Sequence, residues 1–147
     1  MLRSGLLHPQ ILAALAGAGH GSLVLIADAN YPVSTTRGPN AAVVHLNLVP
    51  GTVDALTVLT AIAAAVPVEE AAVMSPLPDG PYSLPADPPI WSRFAAALAA
   101  AGSAVELGRY ERADFYAAAS TGEVALVVVS AETQIYANLL LRIGVVQ

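Results

Sequence analysis

The sequence predicts an α/β fold: a three-layer domain with a central, mostly parallel sheet covered by helices. Three observations predict it. Segments with helical spacing of apolar residues alternate with apolar runs of strand length. The runs Leu23-Val24-Leu25-Ile26 and 124–129 are continuously apolar, which suits strands buried on both faces. Across 147 residues there is no internal repeat and no linker, so one domain spanning 1–147 is expected.

The elements follow in order. Pro9 opens a helix, since its missing N–H costs nothing at the first helical position. Ile11, Leu12 and Leu15 form its apolar stripe, and Gly17 and Gly19 end it. A strand at 23–26 stops at the polar turn Asp28-Ala29-Asn30-Tyr31-Pro32. A second strand covers 43–48. Pro50-Gly51-Thr52 turns the chain, with Thr52 expected to cap a helix reaching about residue 65. Residues 71–74 make a short third strand. The Pro-rich stretch 76–89 has neither period and reads as a long loop, carrying Tyr82. A helix at 91–101 places Trp91, Phe94 and Leu98 on one face and stops at Gly102. An edge strand is expected at 105–107, a short helix at 114–119, a buried strand at 124–129, and a last strand at 139–141.

Charged residues make up 12% of the chain against a usual figure of about 25%, and hydrophobic residues make up 56%. So apolar an exterior suggests a homo-oligomer that covers it with copies of itself. Abundant Ala, counted apolar yet at ease on helix surfaces, is the other explanation. The net charge is −5, and the six basic residues are all Arg, dispersed along the chain. That leaves no positive footprint for nucleic acid. The apolar stretch 56–66 is too short to cross a membrane. There is no Cys, so disulfides, thiolate nucleophiles and Cys-type zinc sites are excluded, in keeping with a reducing, cytoplasmic setting. Residues 11–18 after Arg3 resemble a signal segment, but His8-Pro9-Gln10 interrupts the apolar region. A capped helix is the expectation there.

Three segments carry candidate chemistry. Gly17-Ala18-Gly19-His20-Gly21 follows a helix and opens a strand, the reverse of a dinucleotide loop. Its glycines stop the helix and leave His20 accessible. An imidazole suits alternate proton donation and acceptance, although a lone His more often just fills a corner. Asp28 lies past the carboxyl end of a buried strand, where ligands bind in open α/β sheets. It is equally a turn aspartate bonding its own backbone. In Tyr136-Ala137-Asn138, the ring offers a stacking face and the amide both donors and an acceptor, which a surface turn would also present. Arg112 and Tyr116 are as ambiguous. Eight residues, roughly 25 Å if extended, separate His20 from Asp28, which favours a site assembled across an interface.

Together these motifs resemble the ribose pyranase and fucose mutarotase family. The resemblance rests on Gly-His-Gly before a strand, Asp-Ala-Asn-Tyr-Pro after it, and a closing Tyr-Ala-Asn-Leu-Leu-Leu-Arg-Ile-Gly-Val. The opening from Met1 to Pro32 is similar too, while the middle, 50–108, is weak. The resemblance implies a central sheet, a ring-shaped homo-oligomer, often a decamer, and sites between neighbouring subunits. It implies His20 as proton donor, with Asp28, Tyr136 and Asn138 as ligands of a free monosaccharide. It also implies a basic site residue near the start of the late helix, for which Arg112, two residues before Asp114-Phe115-Tyr116, matches best, with Arg109 the alternative if the alignment slides. Arg112 with Phe115-Tyr116, and Asn30-Tyr31-Pro32, lean to the fucose branch. Ser34-Thr35-Thr36-Arg37 leans to the pyranase branch.

The chemistry implied is modest. An isomerase of this kind interconverts anomers or ring sizes by general acid–base catalysis, and no metal, nucleotide or other cofactor is signalled. A non-catalytic sugar-binding or transport-accessory protein would use the same residues without needing His20. A purely assembling shell protein would bind no sugar.

Overall fold

The computed structural model describes residues 2–146. Met1, the first residue of the family-like opening, and Gln147 lie outside the described residues. The strands are β1 (Leu23–Ala27), β2 (Ala42–His45), β3 (Val68–Met74), β4 (Leu107–Tyr110), β5 (Val124–Val129) and β6 (Leu139–Ile143). The helices are α1 (Pro9–Gly17), α2 (Ala55–Ala63), α3 (Pro89–Ala100) and α4 (Arg112–Ala119).

The strands form one sheet in the order β2-β5-β1-β6-β3-β4. β1 pairs in parallel with β5, β5 with β2, and β3 with β4, whereas β6 runs against both β1 and β3. Among the described residues, β6 is therefore the one strand that opposes the rest. The reason lies in the connections. Parallel strands that follow one another in the chain need a long crossover, which α2 supplies from β2 to β3, α3 from β3 to its neighbour β4, and α4 from β4 to β5. Residues 130–138 join β5 to β6 without a helix, so the chain turns over the ends of β5 and β1 and runs back.

Every residue of β1 is buried, as its unbroken apolar run requires. Ala72 and Val73 are neighbours on β3 and so face opposite sides of the sheet. Val73 pairs with Arg109, whose guanidinium lies 5.0 Å over the Trp91 ring of α3. Ala72 shares a depression with Leu140 and with Ala118 of α4. Helices α3 and α4 thus cover opposite faces, α2 packs on α3, and the three layers follow. Phe94, Phe115, Leu25 and Ile26 are fully buried between the layers. Each such side chain contributes roughly 1.5–3 kcal/mol. Among the described residues no helix is long and apolar enough to cross a membrane.

Three expectations need correction. The second strand ends at His45 rather than at residue 48, because the Leu48 N–H turns to the Leu46 and Thr52 carbonyls. Thr52 does not cap α2: the N-cap is Asp54, whose carboxylate accepts the Thr57 N–H at 2.7 Å. That bond holds the Asp54 carboxyl below its usual value. The edge strand starts at Leu107, not at residue 105. Ser103 Oγ donates to the Val68 carbonyl and accepts the Val105 N–H, tying residues 103–105 into a turn before pairing with β3 begins.

Candidate active site

Because β6 reverses, its first residues meet the carboxyl ends of β1 and β3. Leu139 pairs with Ile26 on one side and Val73 on the other. Asn138 and Tyr136, just before β6, therefore arrive beside Asp28, just after β1. A hollow of about 410 Å³ opens there, lined by Asp28, Asn30, Met74, Tyr82, Arg112, Tyr116, Ile135, Tyr136 and Asn138. Four of the five residues singled out from the sequence share it. His20 is the fifth, and it lies elsewhere.

Asp28 and Asn138 are both buried and lock together through two bonds. Asn138 Oδ1 accepts the Asp28 backbone N–H at 2.9 Å, and Asn138 Nδ2 donates to Asp28 Oδ2 at 2.8 Å. The Asn30 N–H donates to Asp28 Oδ1 at 2.9 Å. Burial pushes the Asp28 carboxyl above its ordinary value, against the pull of the Asn30 and Asn138 bonds.

Tyr136 has φ 62°, a left-handed conformation uncommon outside glycine. Its surroundings hold it there. Its carbonyl accepts the Trp91 indole N–H at 2.9 Å. Its hydroxyl donates to the Tyr82 carbonyl at 2.8 Å and accepts the Leu77 N–H at 3.2 Å. That phenol thus fastens the 76–89 loop beside the hollow, which Tyr82 and Tyr136 both line. Strained backbone of this sort costs about 1–3 kcal/mol and concentrates at functional sites.

Arg112 is the first residue of α4, and its guanidinium lies 5.4 Å over the Tyr116 ring. Among the described residues no carboxylate pairs with it. Arg109 instead forks onto Asp87 through bonds of 2.9 and 2.6 Å and stacks on Trp91, outside the hollow. Tyr31 packs its ring 5.7 Å from Tyr116, and burial pushes its phenol up. Asn30, Tyr82 and Tyr116 sit in segments the sequence had marked. Met74 and Ile135 reach the hollow through strand register and loop path, which leave no local signal.

His20 stands at the opposite end of β1, half-exposed, beside a second depression shared with Asn40, Glu123 and Arg142. Its Nε2 is 3.0 Å from both Glu69 carboxylate oxygens. The Gly21 N–H donates to the Ile143 carbonyl, and Arg142 Nη1 donates to the Gly21 carbonyl. Within one chain the fully buried β1 separates His20 from the hollow.

Carboxylate, amide, guanidinium and tyrosine rings gather around one hollow at the strand ends of this α/β protein, a set of groups with the hydrogen-bonding and stacking capacity that a small polyhydroxylated molecule requires. The size is within the range of small-molecule sites, roughly 300–1,000 Å³. The chain belongs to the RbsD / FucU transport protein family, whose model matches residues 1–146. It is 35% identical over 143 residues to a fucose mutarotase of Homo sapiens, covering 95% of this chain and 90% of that protein. Its structure is similar to FucU from Bifidobacterium longum, with a TM-score of 0.76, 31% identity, and 95% of each chain covered. It is also similar in fold to the fucose mutarotase from Streptococcus pneumoniae in complex with L-fucose. There the TM-score is 0.78 and the identity 24%, over 95% of this chain and 94% of that one.

Proposed function

We propose that this protein is a monosaccharide mutarotase, an isomerase interconverting the anomers, or the pyranose and furanose rings, of a free sugar such as L-fucose or D-ribose. The observation that carries this reading is the convergence of Asp28, Arg112, Tyr136 and Asn138 on one hollow, in a chain whose relatives include fucose mutarotases. Those relatives favour L-fucose as the first sugar to test.

Mutarotation needs a proton delivered to the ring oxygen while the anomeric hydroxyl loses one. The C1–O5 bond breaks, the aldehyde forms, the C1–C2 bond rotates, and the reverse transfers close the ring on the other face. Arg112 and Asn138 hold sugar hydroxyls as donors, Asp28 accepts from one, and the rings of Tyr136 and Tyr116 pack on the sugar's face. His20 is the acid–base. A positioned group of this kind contributes about 10²–10⁴-fold.

The place of His20 is supplied by a second copy. In a cytoplasmic homo-oligomer, a ring-shaped decamer in this proposal, His20 of one copy closes the Asp28 hollow of its neighbour. Exposed Leu7, Leu48 and Val49 support burial against such copies. The test is saturation-transfer NMR between α and β anomers of L-fucose and of D-ribose. His20→Ala and Asp28→Ala should each lose exchange, and mixing the two as re-formed oligomers should restore part of it. Wild-type exchange in His20→Ala would sink the proposal, as would sugar binding by the wild type without acceleration.

A further inference from the structure

Resting on the mutarotase reading, we infer that Tyr82 selects the sugar: its ring packs on the methyl group that a 6-deoxyhexopyranose carries on C5, so that this class is preferred over pentoses. The path of the chain supports this first. Among the described residues no helix or strand falls between Met74 and Pro89, whereas connections between elements usually span about 4–6 residues. The segment is nonetheless tied down at several points. The Tyr136 hydroxyl accepts the Leu77 N–H at 3.2 Å and donates to the Tyr82 carbonyl at 2.8 Å, so a phenol of the site grips the backbone of Tyr82 itself. Gly80 has φ 99°, a conformation that favours glycine. The chain turns there, and Ser83 closes the turn by donating to the Gly80 carbonyl through its N–H at 3.1 Å and its Oγ at 2.8 Å. Farther along, Arg109 forks onto Asp87.

So anchored, Tyr82 lines the hollow yet stays 59% exposed. Fold stability does not account for that placement, because a side chain left in water gains little from burial. Ile135, 37% exposed, lines the same hollow, so the two form an apolar rim rather than scattered surface residues. The polar pair Asp28 and Asn138 is buried. The hollow therefore joins a buried polar floor to an exposed apolar rim. A 6-deoxyhexopyranose divides the same way. Its hydroxyls find donors and acceptors in Asp28, Arg112 and Asn138, while its methyl group is the one ring substituent that cannot hydrogen-bond. Packing that methyl group against the Tyr82 ring and Ile135 takes apolar surface of sugar and protein out of water together. One such carbon in an apolar pocket discriminates between substrates by about 10–200-fold.

The experiment measures kcat/KM for anomer exchange with L-fucose, D-arabinose and D-ribose in wild type, Tyr82→Ala and Tyr82→Phe, each sized by light scattering. The pyranose of D-arabinose has the configuration of L-fucose at C2, C3 and C4, with hydrogen in place of the methyl group. Wild type should prefer L-fucose over D-arabinose by at least about tenfold. Tyr82→Ala should cut that preference by at least about fivefold, chiefly through a higher KM for L-fucose, at unchanged oligomer size. Tyr82→Phe keeps the ring and should restore most of the preference. An unchanged preference in Tyr82→Ala, or equal losses for the two sugars, overturns the role of Tyr82 and leaves the mutarotase reading standing. A smaller oligomer in Tyr82→Ala also overturns it, since the ring then packs on a second copy. Wild-type exchange confined to D-ribose, or equal for L-fucose and D-arabinose, overturns it too. No acceleration by wild type with any of the three sugars overturns both readings.

Discussion

Replacing Asn138 by Ala tests how the hollow is held. The amide makes both of its bonds to Asp28, at 2.9 Å to the backbone N–H and 2.8 Å to the carboxylate. Asp28 is 3% exposed and Asn138 5%. Truncation leaves a buried N–H and a buried carboxylate oxygen without these partners, at about 1–3 kcal/mol for each group. Water entering the hollow offsets part of this, so about 2–3 kcal/mol in total is expected. In a domain of this size each kcal/mol moves Tm by roughly 2–4 °C, which makes the loss about 4–12 °C. The sign with pH also follows. Burial raises the Asp28 carboxyl in the fold, so its contribution to stability is complete below the ordinary value of 3.8 and is lost as pH rises through the raised one. Without the Asn138 donor the carboxyl rises further, and the gap between variant and wild type should widen from acid to neutral pH. Calorimetric melts at fixed protein concentration, near pH 3 and near pH 7, measure both effects. A shift under about 1 °C, or an equal shift at both pH values, would refute the argument.

Other variants address the remaining parts of the site. Arg112→Ala should raise KM for the sugar at least about tenfold, and Arg109→Ala should leave it within about twofold, because only Arg112 lines the hollow; equal effects in steady-state exchange assays would contradict that assignment. Tyr136→Phe removes the hydroxyl that binds Tyr82 and Leu77, at about 1–2 kcal/mol, and should speed amide exchange across residues 76–89. Unchanged hydrogen-exchange rates there would mean that the phenol does not fasten the loop. Gly38→Ala would drive a Cβ into the Thr121 carbonyl and to 2.9 Å from Val124 Cβ, so a loss of about 2 kcal/mol or more is expected in denaturant unfolding.

Much of the fold was legible because its signals are local. The continuous apolar runs of β1 and β5 announced strands buried on both faces, and the Trp91, Phe94, Leu98 spacing announced the buried stripe of α3. Element ends were less legible. Thr52 and Asp54 are both good caps by residue type, and only the path of the turn puts the Asp54 carboxylate on the Thr57 N–H. The onset of β4 depends on Ser103 bonding to a distant strand, which no local pattern records.

By itself, then, the sequence determined the alternation of helix and strand, and which residue types sit at the strand ends: His20 before β1, Asp28 after it, and Tyr136 and Asn138 before β6. These follow from periodicity and turn chemistry within a few residues. Tertiary structure alone decided which of them meet. The helix-free link into β6 reverses that strand and carries Asn138 to Asp28. The three-residue step from Arg109 on β4 to Arg112 on α4 separates an arginine stacked on Trp91 from one that faces the hollow. The bulge at Glu69 brings a carboxylate to His20 across a sequence separation of 49. Strand order, register and chain direction are long-range properties, and they place chemistry that local sequence can only supply.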